Sequence, residues 1–120
     1  MARALIIIPT YNEQENIVRL VHDIFMQQPR CPNIELSLLI VDDNSPDGTS
    51  QIVRDIQARE DPEFKRIHLL TRPAKMGLGT AYVTGFKYGV REGFDYILEM
   101  DADFSHGRRS TGFTSMSGNP

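Results

Sequence analysis

A chain of 120 residues with 40% hydrophobic content can bury the core of one domain, but it is short for an enzyme that must hold two substrates. A formal net charge of −3 argues against a general nucleic-acid binder, and a single cysteine, Cys31, excludes an internal disulfide framework and a cysteine-based zinc cluster. The longest apolar runs, residues 4–8 and 38–41, cannot span a bilayer, and the first residues lack a secretory signal, so a cytoplasmic protein able to work at the face of a membrane is expected.

Residues 4–8, Ala-Leu-Ile-Ile-Ile, form a continuous apolar run ending at Pro9, the pattern of a strand buried on both faces. Asn12 and Glu15 have the spacing of a capping box, and Ile17, Leu20, Val21, Ile24 and Phe25 then recur at helical spacing until Pro29. Residues 36–41 read as a second buried strand. Asp47-Gly48-Thr49 follows as turn and cap for a helix carrying Ile52, Val53 and Ile56. Asp61-Pro62 marks a loop, and residues 67–70 are a third, shorter strand. Gly77 to Gly79 lead into a third helix whose apolar positions are Tyr82, Val83, Phe86 and Val90, and residues 96–100 are a fourth strand running into Asp101. Alternation of this kind predicts a parallel sheet covered by helices. From residue 107 to 120 the chain is rich in Gly, Ser, Thr and Arg with no periodic pattern, so a loose tail and no fifth strand are expected.

In parallel α/β sheets ligands bind beyond the carboxyl ends of the strands, and the unusual polar residues of this chain follow its strands four times. Residues 9–13 follow the first, 42–47 the second, 72–79 the third and 101–106 the fourth. Asp101 and Asp103, two residues apart in an extended segment, project to one side and can approach one hard cation, Mg²⁺ or Mn²⁺, together with a substrate phosphate. Acidic pairs also occur in plain solvated turns, but not commonly at the mouth of a buried strand. Asp42 and Asp43 stand where like charges repel unless a cation or a donor such as a nucleobase edge is near, while residues 45–48 are turn formers. Tyr11 is either a packing residue or a base contact. Glu13 is either a favourable first-turn charge or an acceptor for a ribose hydroxyl. Gly77-Leu78-Gly79 lacks the third glycine of a dinucleotide fingerprint, where Tyr82 stands; it suits a tight loop, with Arg72 and Lys75 available to phosphate oxygens or, for Lys75, simply solvated. His106, alone beside the tail, is assigned no chemistry.

Laid out together, these blocks resemble the family 2, GT-A-type (Rossmann-like) glycosyltransferases. Ile-Ile-Pro-Thr-Tyr-Asn-Glu (7–13), Val-Asp-Asp-Asn-Ser-Pro-Asp-Gly-Thr (41–49), Lys-Met-Gly-Leu-Gly-Thr-Ala-Tyr (75–82) and Met-Asp-Ala-Asp-Phe-Ser-His (100–106) occur in the family's order. The second, third and fourth blocks are similar to those of polyprenyl-phosphate (dolichyl-phosphate) mannosyltransferases. The resemblance implies that residues 1–106 are the nucleotide-binding region of a truncated enzyme and that 107–120 match nothing in the family. It further implies that Pro9, Tyr11, Glu13, Val41 and Asp43 line a guanosine pocket, and that Asp101, Ala102 and Asp103 hold the diphosphate and its Mg²⁺ or Mn²⁺. The implied reaction transfers mannose from GDP-mannose to a polyprenyl monophosphate, and so truncated a form is expected to turn over poorly.

Alternatives are another nucleotide-sugar glycosyltransferase of that family and a non-catalytic nucleotide-binding fragment. A sugar nucleotidyltransferase would carry a glycine- and arginine-rich phosphate loop after the first strand, which residues 9–13 are not. A phospho-acceptor signalling domain would place its acidic pair after the first strand, whereas here it follows the second.

Overall fold

The computed structural model describes residues 1–63, 65–102 and, as backbone, 114–116. In chain order these form β1 (Ala2–Thr10), α1 (Ile17–Phe25), a 3₁₀ turn (Gln28–Arg30), β2 (Ile34–Asp42), α2 (Thr49–Glu60), β3 (Ile67–Thr71), α3 (Leu78–Arg91), β4 (Tyr96–Glu99) and β5 (Thr114–Met116). The sheet order is β3-β2-β1-β4-β5. The first four strands are mutually parallel, and β5, absent from the sequence expectation, pairs antiparallel with β4.

Strand β1 is central, and its pleat sorts the core. Ala4, Ile6 and Ile8, with Leu38 and Ile40 of β2, face α1 and α2, while Leu5, Ile7, Leu39 and Val41 face α3. Burying each such Leu or Ile contributes about 1.5–3 kcal/mol. A strand apolar at every position from Ala4 to Pro9 therefore requires helices on both sides, and it has them.

Two local expectations need correction. Asn12 does not cap α1: the helix starts at Ile17, Asn16 is its N-cap, and Asn12 adopts φ 57°. The Asn12–Glu15 capping box fails because the backbone N–H groups of the intervening loop are claimed by a neighbouring loop, as described below. On α3, Val83 and Val90 face outward, and the residues against the sheet are Ala81, Gly85 and Gly89. The small residues let the helix axis lie close to β1 and β4. A Cβ on Gly85 would stand 2.6 Å from Ile7 Cγ2, and one on Gly89 would stand 2.7 Å from Ile97 Cδ1.

On the opposite face, an apolar groove of about 360 Å³ runs over β1 and β4, lined by residues that include Ala4, Ile6, Ile24, Leu36, Tyr96 and Leu98. It holds none of the polar residues that follow the strands.

Because Ile7 is fully buried and cannot move aside, Gly85→Ala should destabilise the fold despite alanine's better helix propensity. Overpacking of this kind costs about 1–3 kcal/mol against a propensity gain of about 1 kcal/mol. Urea unfolding should show a lower midpoint for Gly85→Ala and little change for Gly79→Ala, whose Cβ would meet open space.

Candidate functional site

The sheet order reverses direction at β1: the chain moves outward through β2 and β3, then returns to β4 on the other side. The crevice at the carboxyl ends of β1 and β4 is thus a topological switch point, the usual ligand position in open α/β sheets. The ladder continues into the loops there. Asp43 N–H donates to Thr10 O at 3.1 Å, Arg72 N–H to Asp42 O at 2.7 Å and Met100 N–H to Ile7 O at 2.9 Å.

The adjacent carboxylates of Asp42 and Asp43 follow the same pleat as the core and leave β2 toward opposite faces. Asp42, fully buried, accepts from Thr10 Oγ1 and Ser45 Oγ, each at 2.6 Å, from Ser45 N–H at 3.0 Å and from Ser50 Oγ at 2.8 Å. Four donors around one carboxylate make it a structural anchor. Neither a cation nor a ligand is needed to explain it.

Asp43 turns toward α3 and meets Arg72, both 6% exposed. Arg72 Nε donates to Oδ1 at 2.6 Å and Nη2 to Oδ2 at 3.0 Å, a bidentate pair. Met76 N–H adds a third bond to Oδ2 at 3.0 Å. Burial opposes the charge of Asp43, but the Arg72 guanidinium and the Met76 and Gly77 amides outweigh it and hold the carboxyl below its ordinary value. Arg72 also donates to Thr80 Oγ1 and Gly77 O, each at 3.0 Å. It is therefore a brace between β2 and the loop before α3, rather than the phosphate ligand expected from the sequence.

The loop after β1 is laced to the loop after β2. Three successive amides, of Asn12, Glu13 and Gln14, donate to Ser45 Oγ, Thr49 Oγ1 and Asp47 Oδ2 at 2.9, 3.0 and 3.1 Å. Asp47 also accepts from Thr49 N–H and Thr49 Oγ1, so the Ser-Pro-Asp-Gly-Thr block is scaffold as well as turn. Asn12 and Asn44 both take positive φ, 57° and 55°, a conformation asparagine tolerates. Glu13 is half-buried and accepts from Asn16 Nδ2 at 3.1 Å. Tyr11 is exposed, and Lys75 Nζ lies 4.6 Å from its ring centroid, so the first and third loops meet across the end of β2.

On β4 the alternation puts Ile97 against α3 and Leu98 on the other face. By the same parity Asp101 leaves on the α3 side, the side Val41 and Asp43 take, and it is exposed. Pro9, next to Ile8, shares that parity. Two strand spacings separate β2 from β4, about 10 Å, so Asp43 and Asp101 flank a span suited to a nucleotide rather than to one shared ion. Ala102 is buried in the α1–α2 core. Asp103, the second metal-ligand candidate, and His106 lie outside the described residues. Among the described residues no three His, Cys, Asp or Glu side chains gather as a metal site. Asp101 nonetheless offers a hard oxygen donor of the type Mg²⁺ and Mn²⁺ take.

Tyr82, in the second turn of α3, is a rim residue that the sequence analysis treated only as packing. Burial, then the charges of Asp101 and Glu99, push its phenol up to about 12. At neutral pH it is therefore protonated and can donate a hydrogen bond. Its place one helical turn after Leu78, at the end of the Lys-Met-Gly-Leu-Gly block, is the signal that could have singled it out.

At the opposite edge of the sheet the charged side chains are satisfied by backbone groups and by Gln28. Asp61 accepts the amides of Lys65, Arg66 and Ile67, and Arg66 donates to Leu36 O and Gln28 Oε1.

Comparison with known proteins bears on the family and the fold. The profile described as glycosyl transferase family 2 matches residues 5–109. The polyprenol monophosphomannose synthase of Mycolicibacterium smegmatis is 45% identical over 104 residues, 87% of this chain and 36% of that protein. The undecaprenyl-phosphate mannosyltransferase of Micrococcus luteus is also 45% identical over 104 residues, 87% of this chain and 39% of its own length. The chain thus spans little more than a third of the curated relatives it matches. Among solved structures, the mannosyltransferase PcManGT of Pyrobaculum calidifontis, in complex with GDP-Man and Mn²⁺, aligns at TM-score 0.67 and 27% identity, covering 84% of this chain and 27% of that one. The S. aureus TarS 1-349 structure aligns at TM-score 0.64 and 23% identity over 86% of this chain and 28% of that one, a likeness of fold.

Removing one partner of a buried pair leaves the other charge stranded, at a cost of about 3–5 kcal/mol. Arg72→Met should therefore destabilise the fold far more at neutral pH than the double change Arg72→Met with Asp43→Asn. The carboxyl of Asp43 is depressed in the folded state, so its contribution is present above the ordinary value of 3.8 and is lost as pH falls through the folded value. Denaturant unfolding from pH 7 to pH 3 should show the Arg72→Met penalty shrinking toward the acid end; a penalty independent of pH would rule out the ion pair as its source.

Proposed function

The chain belongs to glycosyl transferase family 2, and from that premise we propose that it is the nucleotide-sugar-binding part of a transferase moving mannose from GDP-mannose to a polyprenyl monophosphate. Its α/β architecture is that of a GT-A-type nucleotide-binding half. The observation that carries the proposal is the common α3-side parity of Asp43 and Asp101 on strands flanking β1 at the switch point. The names of the curated relatives and the GDP-Man complex of the PcManGT neighbour support the substrate class.

In this proposal Asp43 reads the base. A carboxylate has about four acceptor positions; Arg72 and Met76 use three on Asp43, and the Gly77 amide lies close enough to favour its charge without making a fourth hydrogen bond. The remainder can accept from the N–H edge of guanine, and the ion pair keeps the acceptor ionised and fixed. Tyr11 and Pro9 supply walls for the base, and Glu13 an acceptor for ribose. Lys75, held over the Tyr11 ring, stands near the same mouth. Asp101 with Asp103 would hold a divalent cation, Mg²⁺ or Mn²⁺, which when bound offsets charge on the departing diphosphate. Tyr82, kept protonated, can donate to an oxygen of the sugar or diphosphate. The acceptor's phosphate oxygen bonds to the anomeric carbon as the carbon's bond to the diphosphate oxygen breaks. That oxygen is already anionic, so no strong general base is required.

Calorimetric titration with GDP-mannose, UDP-glucose and GDP, with and without Mn²⁺, tests this. Guanine nucleotides should bind best, and Mn²⁺ should tighten them. Asp43→Asn should weaken binding about tenfold or more in both conditions, the scale of one charge-assisted hydrogen bond. Asp101→Ala and Asp103→Ala should weaken it only when Mn²⁺ is present. Indifference among the three ligands sinks the substrate assignment, and parent-like binding by Asp43→Asn sinks the base pocket.

A further inference from the structure

We infer that the outward face of α3, with the loop leading into it, is a docking surface for an anionic lipid bilayer. The inference deepens the proposed function and rests on it, because the acceptor of that reaction is a membrane lipid.

The first observation is one of charge. Residues 72–91 carry Arg72, Lys75, Lys87 and Arg91 and no acidic residue, within a chain whose formal net charge is −3. Arg72 is buried on Asp43, which leaves Lys75, Lys87 and Arg91 at the surface. Lys87 has no ion pair among the described residues, and Arg91 meets Glu92 at 3.5 Å only at the far end of the helix.

The second is exposed apolar surface on the same segment. Met76, Leu78, Val83 and Val90 are each between 51% and 57% exposed. With Ala81, Gly85 and Gly89 packed on the sheet, a helical step of about 100° per residue turns Val83, Lys87 and Val90 directly outward. Lys87 lies between the two valines on that stripe. The outward residues of α2 are different: Gln51, Arg54, Asp55, Ala58 and Arg59 mix both signs with polar and small groups, as suits a face turned to water. Valines flanking a lone lysine, on a helix with no carboxylate of its own, suit a headgroup layer where methyl groups can sink and ammonium groups meet lipid phosphates.

The third is direction. α3 starts at the carboxyl rim, where Met76 N–H binds Asp43 and Gly77 O accepts from Arg72. A bilayer lying along α3 and touching Met76 and Leu78 therefore comes up to the rim at the Lys75–Tyr11 contact. A polyprenyl phosphate presents its phosphate at that level of a membrane.

The test is sedimentation of the full 120-residue chain with vesicles of phosphatidylcholine alone and of phosphatidylcholine mixed with phosphatidylglycerol, at low and high salt. The chain should bind the mixed vesicles, ignore the neutral ones and lose binding as salt rises. Lys87→Glu should weaken binding about fivefold or more, Val83→Asp should weaken it as well, and Arg54→Glu on α2 should leave it unchanged. Equal binding to neutral vesicles, or an equal loss in Lys87→Glu and Arg54→Glu, overturns the docking face. No vesicle binding at all also overturns it and leaves the face to a protein partner. Titration of the same preparations with GDP-mannose in vesicle-free buffer separates the two proposals: intact nucleotide binding without vesicle binding removes only the docking surface.

Discussion

Everything at the carboxyl rim depends on how the end of β2 disposes of two neighbouring carboxylates. The pleat directs successive side chains to opposite faces, so Asp42 and Asp43 need not repel across a shared pocket. Each enters its own set of donors: three hydroxyls and an amide for Asp42, a guanidinium and an amide for Asp43. Both acids are thereby tied to other segments. Asp42 binds β1 and α2 to β2, and Asp43 binds the loop before α3. Strand-end polarity that looks like a ligand site is first of all the joinery of that edge.

The lacing makes the rim a preformed surface. Loops after β1 and β2 share three amide-to-side-chain bonds, and the loop after β3 reaches back over Tyr11 through Lys75. Groups that must meet a ligand in fixed geometry are best held by bonds made before it arrives. The close approach of α3, which the Gly85–Gly89 stripe permits, belongs to the same design. It brings Tyr82 near the charges of Glu99 and Asp101, where a bulkier helix face would hold it away.

The sheet was legible from residues 4–8, 36–41 and 67–70, because a strand buried on both faces is apolar at nearly every position, Ser37 and His68 being the exceptions. The rim was legible because chemistry that is costly in a core gathers where strands end. Elsewhere local patterns misled, for reasons the structure makes clear. Asn12 with Glu15 has capping-box spacing, but the amides it would serve are taken by Ser45, Thr49 and Asp47, partners more than thirty residues away. Val83 and Val90 fit an inward helix stripe by hydrophobicity, yet glycine can be the buried residue where two backbones approach. Arg72 looked like a phosphate ligand because sequence shows a charge without its partner. The antiparallel β5 gave no signal in a segment of Gly, Ser and Thr, since three residues are too few for any period to register.

The same pairing decides where a divalent cation would matter. A nucleoside diphosphate is strongly anionic, and a rim of bare aspartates would repel it. Here Asp42 is buried and fully bonded, and Asp43 is matched by Arg72, so neither presents uncompensated negative charge to a ligand. The exposed Asp101 follows β4, on the other side of the switch point, with Asp103 next in the motif. In the proposed reading, the acid that would meet a metal is thus displaced by two strands from the carboxylate that would read a base. In the proposed transferase, base recognition and diphosphate activation draw on different acids, and a cation can act on the departing group without loosening the grip on the nucleoside.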